Sequence, residues 1–274
     1  MTSRSSQSAS TRTQRPPWAW AGLGALAGSL VTLVLNAPAA WFAMVIAEAT
    51  SGKVALLESR GTVWVGSARL QFSGGAGSSD RSALPGRVKW SIRPAFDGLA
   101  IRFGADCCTP DPLSLRVVPG WGRVALHVQD QAGSVKQPSI WPASMLAGLG
   151  TPWNTLQIEG QLSLLTQGLS VEWNRGRLSM AGRAELLATN LSSRLSTLKP
   201  IGSYRITLVG GNTATLEVTT IAGSLQLAGT GRWVGSRLRF EGTASAAPER
   251  EAALSNLLNI IGRRTGPRAV INLG

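Results

Sequence analysis

The 274 residues carry 27 Lys and Arg against 14 Asp and Glu, a net charge of +13, yet charged residues are only 15% of the chain, below the roughly 25% usual in soluble domains. Hydrophobic residues, at 43%, suffice for the core of one large domain or two small ones. One histidine and two adjacent cysteines exclude a histidine- or cysteine-rich metal centre, and the scarcity of acids leaves little material for acid–base catalysis.

The basic excess is nearly all arginine, since Lys53, Lys89, Lys136 and Lys199 are the lysines. A charge of this sign suits nucleic acid or anionic lipid head groups. The aromatic-rich basic patches of RNA readers do not occur, and no nucleic-acid partner is expected.

Residues 1–15 are Ser, Thr, Gln and Arg, with Arg4, Arg12 and Arg15 and no acid, which reads as a disordered basic arm. From Pro16 to Ala47 no residue is charged. Residues 16–36 are apolar enough for a transmembrane helix, which needs around 20 residues. Trp18 and Trp20 stand at its start as interfacial anchors. A cleaved signal peptide competes, because Ala37, Ala39 and Ala40 offer small residues for cleavage. Its apolar core is usually about 7 to 15 residues, shorter than this run, so an uncleaved span is expected. Basic residues before the span place the N-terminus in the cytoplasm and the bulk of the chain in the periplasm of a bacterial inner membrane. Gly24 and Gly28 stand at GxxxG spacing, a face through which two spans can pair as a homodimer.

Asn36 and Pro38 should break the helix. The next apolar piece, Trp41 to Ile46 within a juxtamembrane segment 37–52, reads as a helix that either lies on the membrane or packs under a sheet.

The rest, residues 53–274, is dominated by alternation. Apolar residues take every second position from Leu156 to Leu164 apart from Gly160, and the pattern returns at Leu216–Val218, Leu225–Leu227 and Arg237–Glu241. One face of each strand is buried and the other wet, as in an antiparallel sheet. Turn signals at Asp97-Gly98, Asn174-Arg175-Gly176, Gly210-Gly211-Asn212 and Gly235-Ser236 predict hairpins. Gly160, Gly182, Gly229 and Gly242, inside the alternation, predict bulges or strong curvature rather than flat strands. The expected fold is mainly β: a curved antiparallel meander with a few short helices behind an N-terminal transmembrane helix.

Two stretches break the strand pattern. Residues 138–152, with Ile140, Trp141, Met145 and Leu146, read as a short helix and connection and as a candidate sub-domain break. Pro248-Glu249-Arg250-Glu251 opens a helix whose Leu254, Leu257, Leu258 and Ile261 form one apolar stripe. Gly262 stops it and Arg263 and Arg264 follow, where cations suit a helix end. The stripe reads as a lid on the core. The alternative is a docking helix for a partner, presenting Ser255, Asn256 and Asn259. A short strand, Ala269–Asn272, ends the chain.

Cys107 and Cys108 read first as two small buried hydrophobes, because a disulfide between neighbours closes a strained ring. No HExxH, G-x-S-x-G or phosphate-loop pattern occurs. His127 is an ordinary strand residue with Asp130 just beyond it. Glu159, Glu172, Glu185 and Glu217 take the solvated positions of alternating strands. No enzyme activity and no cofactor are expected.

Gly61-Thr62-Val63-Trp64-Val65-Gly66, Gly202-Ser203-Tyr204-Arg205, Gly229-Thr230-Gly231-Arg232-Trp233 and Leu238-Arg239-Phe240-Glu241-Gly242-Thr243-Ala244 resemble the type II secretion system protein N family. So do Ala247–Glu251 and Leu257–Arg264. The resemblance implies a bitopic inner-membrane component of the apparatus that exports folded proteins from the periplasm across the outer membrane. It implies platform subunits of the inner membrane, and the outer-membrane secretin, as neighbours. It supplies no catalytic residues. Gly61, Trp64, Gly66, Tyr204, Gly231, Trp233, Phe240 and Gly242 are its motif positions, expected to serve packing first. The basic arm has no counterpart in it. Two rival readings stand beside it. An anchor plus a curved sheet also resembles AsmA-type envelope proteins, with lipid binding or transfer in an apolar groove. The positive charge alone would make a nonspecific binder of anionic surfaces.

Overall fold

A computed structural model describes residues 18–75, 77–129, 138–235 and 237–274. The arm, Pro16, Pro17, Asp130, Lys136 and Ser236 lie outside the described residues. The chain divides into two compact units, one ending at Ala37 and one running from Pro38 to Gly274.

The first unit contains helix α1, Trp18–Leu35. In its last turns the Thr32 hydroxyl donates to the Gly28 carbonyl (2.8 Å) and the Asn36 side-chain amide to the Thr32 carbonyl (2.9 Å), each a second donor to a carbonyl of the helix ladder. Among the described residues no helix is long and apolar enough to cross a membrane. The 18 residues of α1 rise about 27 Å, short of the roughly 30 Å of a hydrocarbon core. The transmembrane part of the expected fold is thus not shown.

The second unit is mainly β. Helix α2 (Ala39–Ala49) leads into β1 (Val54–Gly61), β2 (Val65–Ser73), β3 (Arg81–Ala83), β4 (Val88–Ala95), β5 (Gly98–Ala105), β6 (Leu113–Gly120) and β7 (Arg123–Gln129). Strand β8 (Ser139–Pro142), a 3-10 helix (Ala143–Leu149) and the single turn α3 (Trp153–Leu156) follow. Then come β9 (Ile158–Asn174), β10 (Arg177–Ser193), β11 (Gly202–Gly211), β12 (Thr215–Gly223), β13 (Leu225–Val234), β14 (Arg237–Ala246), α4 (Glu251–Ile261), β15 (Arg263–Thr265) and β16 (Arg268–Leu273).

Among the described residues, all the strands join one sheet of 16, in the order β1-β2-β4-β5-β6-β7-β9-β10-β11-β12-β13-β14-β16-β15, with β3 on β2 and β8 on β9. Neighbours are antiparallel throughout, so the expected meander is present. Alternation does the sorting. In β4, Val88, Trp90 and Ile92 are buried while Lys89 and Arg93 are exposed, as a side-chain period of two requires.

Two expected bulges are found. Pairing of β9 with β10 shifts register between Ala181 and Arg183, at Gly182, and between Thr189 and Ser192, opposite Gly160. Gly229 and Gly242 form no bulge. They face each other in the unbroken register of β13 and β14, and their missing side chains make room for an aromatic ring instead.

Smaller corrections concern ends. The alternating stretch begins at Ile158, because Leu156 is the last residue of α3 and is buried there. Residues 138–152 form β8, laid on β9 from Ser139↔Leu164 to Pro142↔Gln161, and the 3-10 helix. Arg263 and Arg264 belong to β15, which hairpins into β16, rather than to the end of α4.

The core has two clusters. One joins Leu156, Ile158, Leu162, Ile201, Tyr204 and Leu225 to the three leucines of α4. The other joins Ala68, Leu70, Val88, Trp90 and Ile92 to Ala39 of α2. Trp141 and Met145 pack against both, so the segment between β7 and β9 is what makes the core continuous.

Candidate functional site

The motif residues are aromatic rings paired with glycines that make room for them. Phe240, on β14, is buried. A Cβ on Gly242 would lie 2.9 Å from its ring and one on Gly231 3.1 Å, and Gly229 meets the same ring. Three glycines on two paired strands thus form a trough filled by one phenyl group, a pairing that returns side-chain packing to strands that would otherwise have none. Gly66 does the same for Trp90, where a Cβ would strike the indole ring. That indole N–H donates to the Val63 carbonyl (3.0 Å) and its ring lies 5.1 Å from Phe42 of α2. Gly202 makes room for Tyr204, whose hydroxyl donates to the Leu225 carbonyl (3.0 Å).

Tyr204 is buried, and burial pushes its hydroxyl far above the ordinary phenol value. It is a structural donor at any physiological pH. Gly61 sits at φ +87° in the β1–β2 turn, where a Cβ would strike the Val65 carbonyl. Trp64 packs against the second core cluster. Trp233 is half-buried and donates its backbone N–H to the Ala214 carbonyl (2.9 Å). None of the motif positions converges on a common chemical centre, because they lie on three separate strand pairs.

Helix α4 settles into the core. Leu254, Leu257 and Leu258 are fully buried, and the Ser196 hydroxyl donates to the Ala253 carbonyl (3.1 Å). Of the outward positions, Asn256 and Asn259 are exposed and Ser255 is half-buried. The Ser255 hydroxyl turns back to the Ala252 carbonyl (3.2 Å). The Asn259 carbonyl oxygen faces the Arg264 guanidinium at 3.5 Å.

The cysteines correct the first reading. Cys107 and Cys108 are bonded to each other in the turn after β5. Cys108 is buried while Cys107 is exposed. The turn is pinned by the Ile140 N–H, which donates to the Cys108 carbonyl (2.8 Å) and so ties it to β8.

Among the described residues no three His, Cys, Asp or Glu gather as metal ligands. His127 lies exposed in the middle of β7. Glu185 bridges Arg205 (2.8 Å) and Arg183 (3.7 Å), and Glu172 faces Arg123 at 3.9 Å. Glu159 and Glu217 are exposed strand positions. A cavity of about 620 Å³ opens over β11–β14 and is lined by Thr207, Glu217, Arg232, Arg239 and Glu241 among others. A lipid-holding groove demands an apolar wall, whereas this wall mixes Val209 and Leu216 with charged side chains.

Several residues escaped the sequence reading. Ser193 is buried, and its hydroxyl donates to the Leu156 carbonyl (2.5 Å). Phe96 and Trp121, at the tips of two hairpins, are wholly exposed, at 111% and 101%. The signal was available for the tips: Phe96 precedes Asp97-Gly98, and Trp121 stands between Gly120 and Gly122. At these two tips the ring has no core to enter.

Fold and motif together define a single-sheet, mainly β body whose marked residues lock strands to one another. The sequence model of the family described as type II secretion system (T2SS), protein N, matches residues 52–271, from just before β1 into β16. The chain belongs to that family and is a type II secretion system component. No curated protein and no solved structure matches it.

Proposed function

We propose that this chain is a non-catalytic, bitopic subunit of the type II secretion inner-membrane platform. Residues 16–36 span the membrane, the basic arm is cytoplasmic and the β body is periplasmic, where it links platform subunits to periplasmic parts of the apparatus. The observation that carries the reading is the family match over the whole β body. The uncharged run from Pro16, preceded by Arg4, Arg12 and Arg15, supports the topology. The uncharged run of the sequence, Pro16 to Ala47, is longer than α1 itself. Gly24 and Gly28 carry no side chain and have open space around them, which suits pairing of two spans as a homodimer.

The outward face of α4, at Asn256 and Asn259, is the first place to look for a platform subunit or the secretin. A photoreactive residue at either position, irradiated in secreting cells, should give discrete adducts with another secretion subunit. Loss of secretion on deletion of the chain, with no adduct from α4 or from exposed positions of the sheet, would remove the linking role. Alkaline carbonate extraction tests the span, since a chain released into the soluble fraction would overturn the anchored topology.

A further inference from the structure

The antiparallel order sends every second turn to the same end of the sheet. The β1–β2, β4–β5, β6–β7, β9–β10, β11–β12 and β13–β14 turns all fall there. The registers Gly61↔Gly66, Ala95↔Gly98, Gly120↔Arg123, Arg177↔Asn174 and Val234↔Arg237 close at that rim, while β7 meets β9 there as Arg123↔Asn174. Helix α4, the 3-10 helix and the disulfide turn belong to connections of the opposite end.

This rim has two properties. Several of its apolar side chains point into solvent: Phe96 and Trp121 completely, Val65 and Trp173 mostly, and Val234 by about half (47%). Its charge is predominantly positive. Arg60, Arg93, Arg175, Arg177, Arg232 and Arg237 are exposed and make no ion pair among the described residues. Of the acids at the tips, Asp97 is engaged by Arg116 (3.0 Å) and Glu172 by Arg123 (3.9 Å), while Glu217 and Glu241 stand farther down the strands beside Arg232 and Arg239. Pro38, the first residue of the β body, bridges to Thr62 in the β1–β2 turn, so the chain enters the body at this same rim. Trp41, also exposed, follows in the first turn of α2.

We infer that this rim is a membrane-contacting edge which rests on an anionic phospholipid surface. Aromatic tips enter the head-group layer, where an apolar ring with a polar edge is best placed. The arginines extend their apolar stems along the same surface and hold lipid phosphates with guanidinium forks. Charge selects lipid over a second copy of the chain, because two like-charged rims repel. This is a surface contact and involves no extraction of lipid. It deepens the anchored reading above and rests on it for the identity of the membrane, namely the periplasmic leaflet of the one that holds the span.

The test uses the full chain in nanodiscs of phosphatidylethanolamine and phosphatidylglycerol. Benzoylphenylalanine replaces Phe96, Trp121 or, as a control on the opposite end, exposed Asp111. All three sites lie outside the core, so folding is preserved. Irradiation should give lipid adducts at 96 and 121 several-fold above those at 111. The yield should fall when salt is raised or when Arg175→Glu, Arg177→Glu, Arg232→Glu and Arg237→Glu are combined. Equal yields at the three positions would overturn the inference. So would adducts at 96 and 121 to a protein, without lipid, in whole cells. Carbonate extraction separates this failure from that of the span. A chain that resists extraction but gives no lipid adduct at 96 and 121 loses the rim contact alone. A chain that is extracted, yet forms those adducts when mixed with vesicles of the same lipids, keeps the rim contact without the span.

Discussion

Tyr204 is the chain's sole tyrosine, which makes its environment measurable. Its buried phenol resists ionisation in the fold, whereas in the unfolded chain it titrates near the ordinary value of 10.0. The contribution is fully present below that value and declines as pH rises through it. Tyrosinate absorbance should therefore stay absent in the ordinary phenol range and appear together with loss of the β signal in circular dichroism. Tyr204→Phe should cost about 1 kcal/mol, the net worth of its bond to the Leu225 carbonyl, and denaturant melts would read it. The glycine troughs give a second expectation. Gly242→Ala forces a Cβ against Phe240 and should destabilise by about 1–3 kcal/mol, the usual cost of overpacking. Combining it with Phe240→Leu should cost less than the sum of the two, since the clash and the lost ring are the same contact.

At the scale of elements, α4 shows how a stripe is assigned to a core or to a partner. Its leucine spacing was legible as a helix, but the same stripe serves either role. Burial decides it: Leu254, Leu257 and Leu258 have no exposed area. Leu257→Ala or Leu258→Ala should cost about 2–5 kcal/mol, whereas Asn256→Ala on the outer face should stay within about 0.5 kcal/mol. Both are read by thermal or denaturant melts. Strands β13 and β14 show the opposite limit. Glycine within alternation signals a bulge or a close approach equally well, and only the ring of Phe240 across Gly229, Gly231 and Gly242 selects the second. Gly160 and Gly182 lack such a ring, and there the register shifts.

At the scale of the whole molecule, the sheet is an open one with two edges. Open edges template unwanted pairing, and here one is closed off by the short β15–β16 hairpin, which also places Ala269 in the core. A chain ending at Gly262 would bare β14 along its length and open that cluster. It should elute as aggregate in size-exclusion chromatography, while the full chain in the same detergent does not. The motif positions fall into place at this scale too. They are spread over the β1–β2 turn, the β11 start and the β13–β14 pair, so their common property is the continuity of one sheet rather than a shared site.

The sequence by itself determined the β character, the hairpin turns, the amphipathic α4 and the family, because each rests on local periodicity, turn chemistry or a contiguous motif. It also held the uncharged N-terminal run and the excess of arginine. Only the tertiary structure decided which glycines bulge and which seat a ring, that α4 closes the core, that the two cysteines join each other, and that the odd turns share one basic, aromatic rim. Those outcomes depend on which strands become neighbours and on which end of the sheet a turn falls. Pairing partners far apart in the chain are set by packing of the whole body, and no local pattern records them.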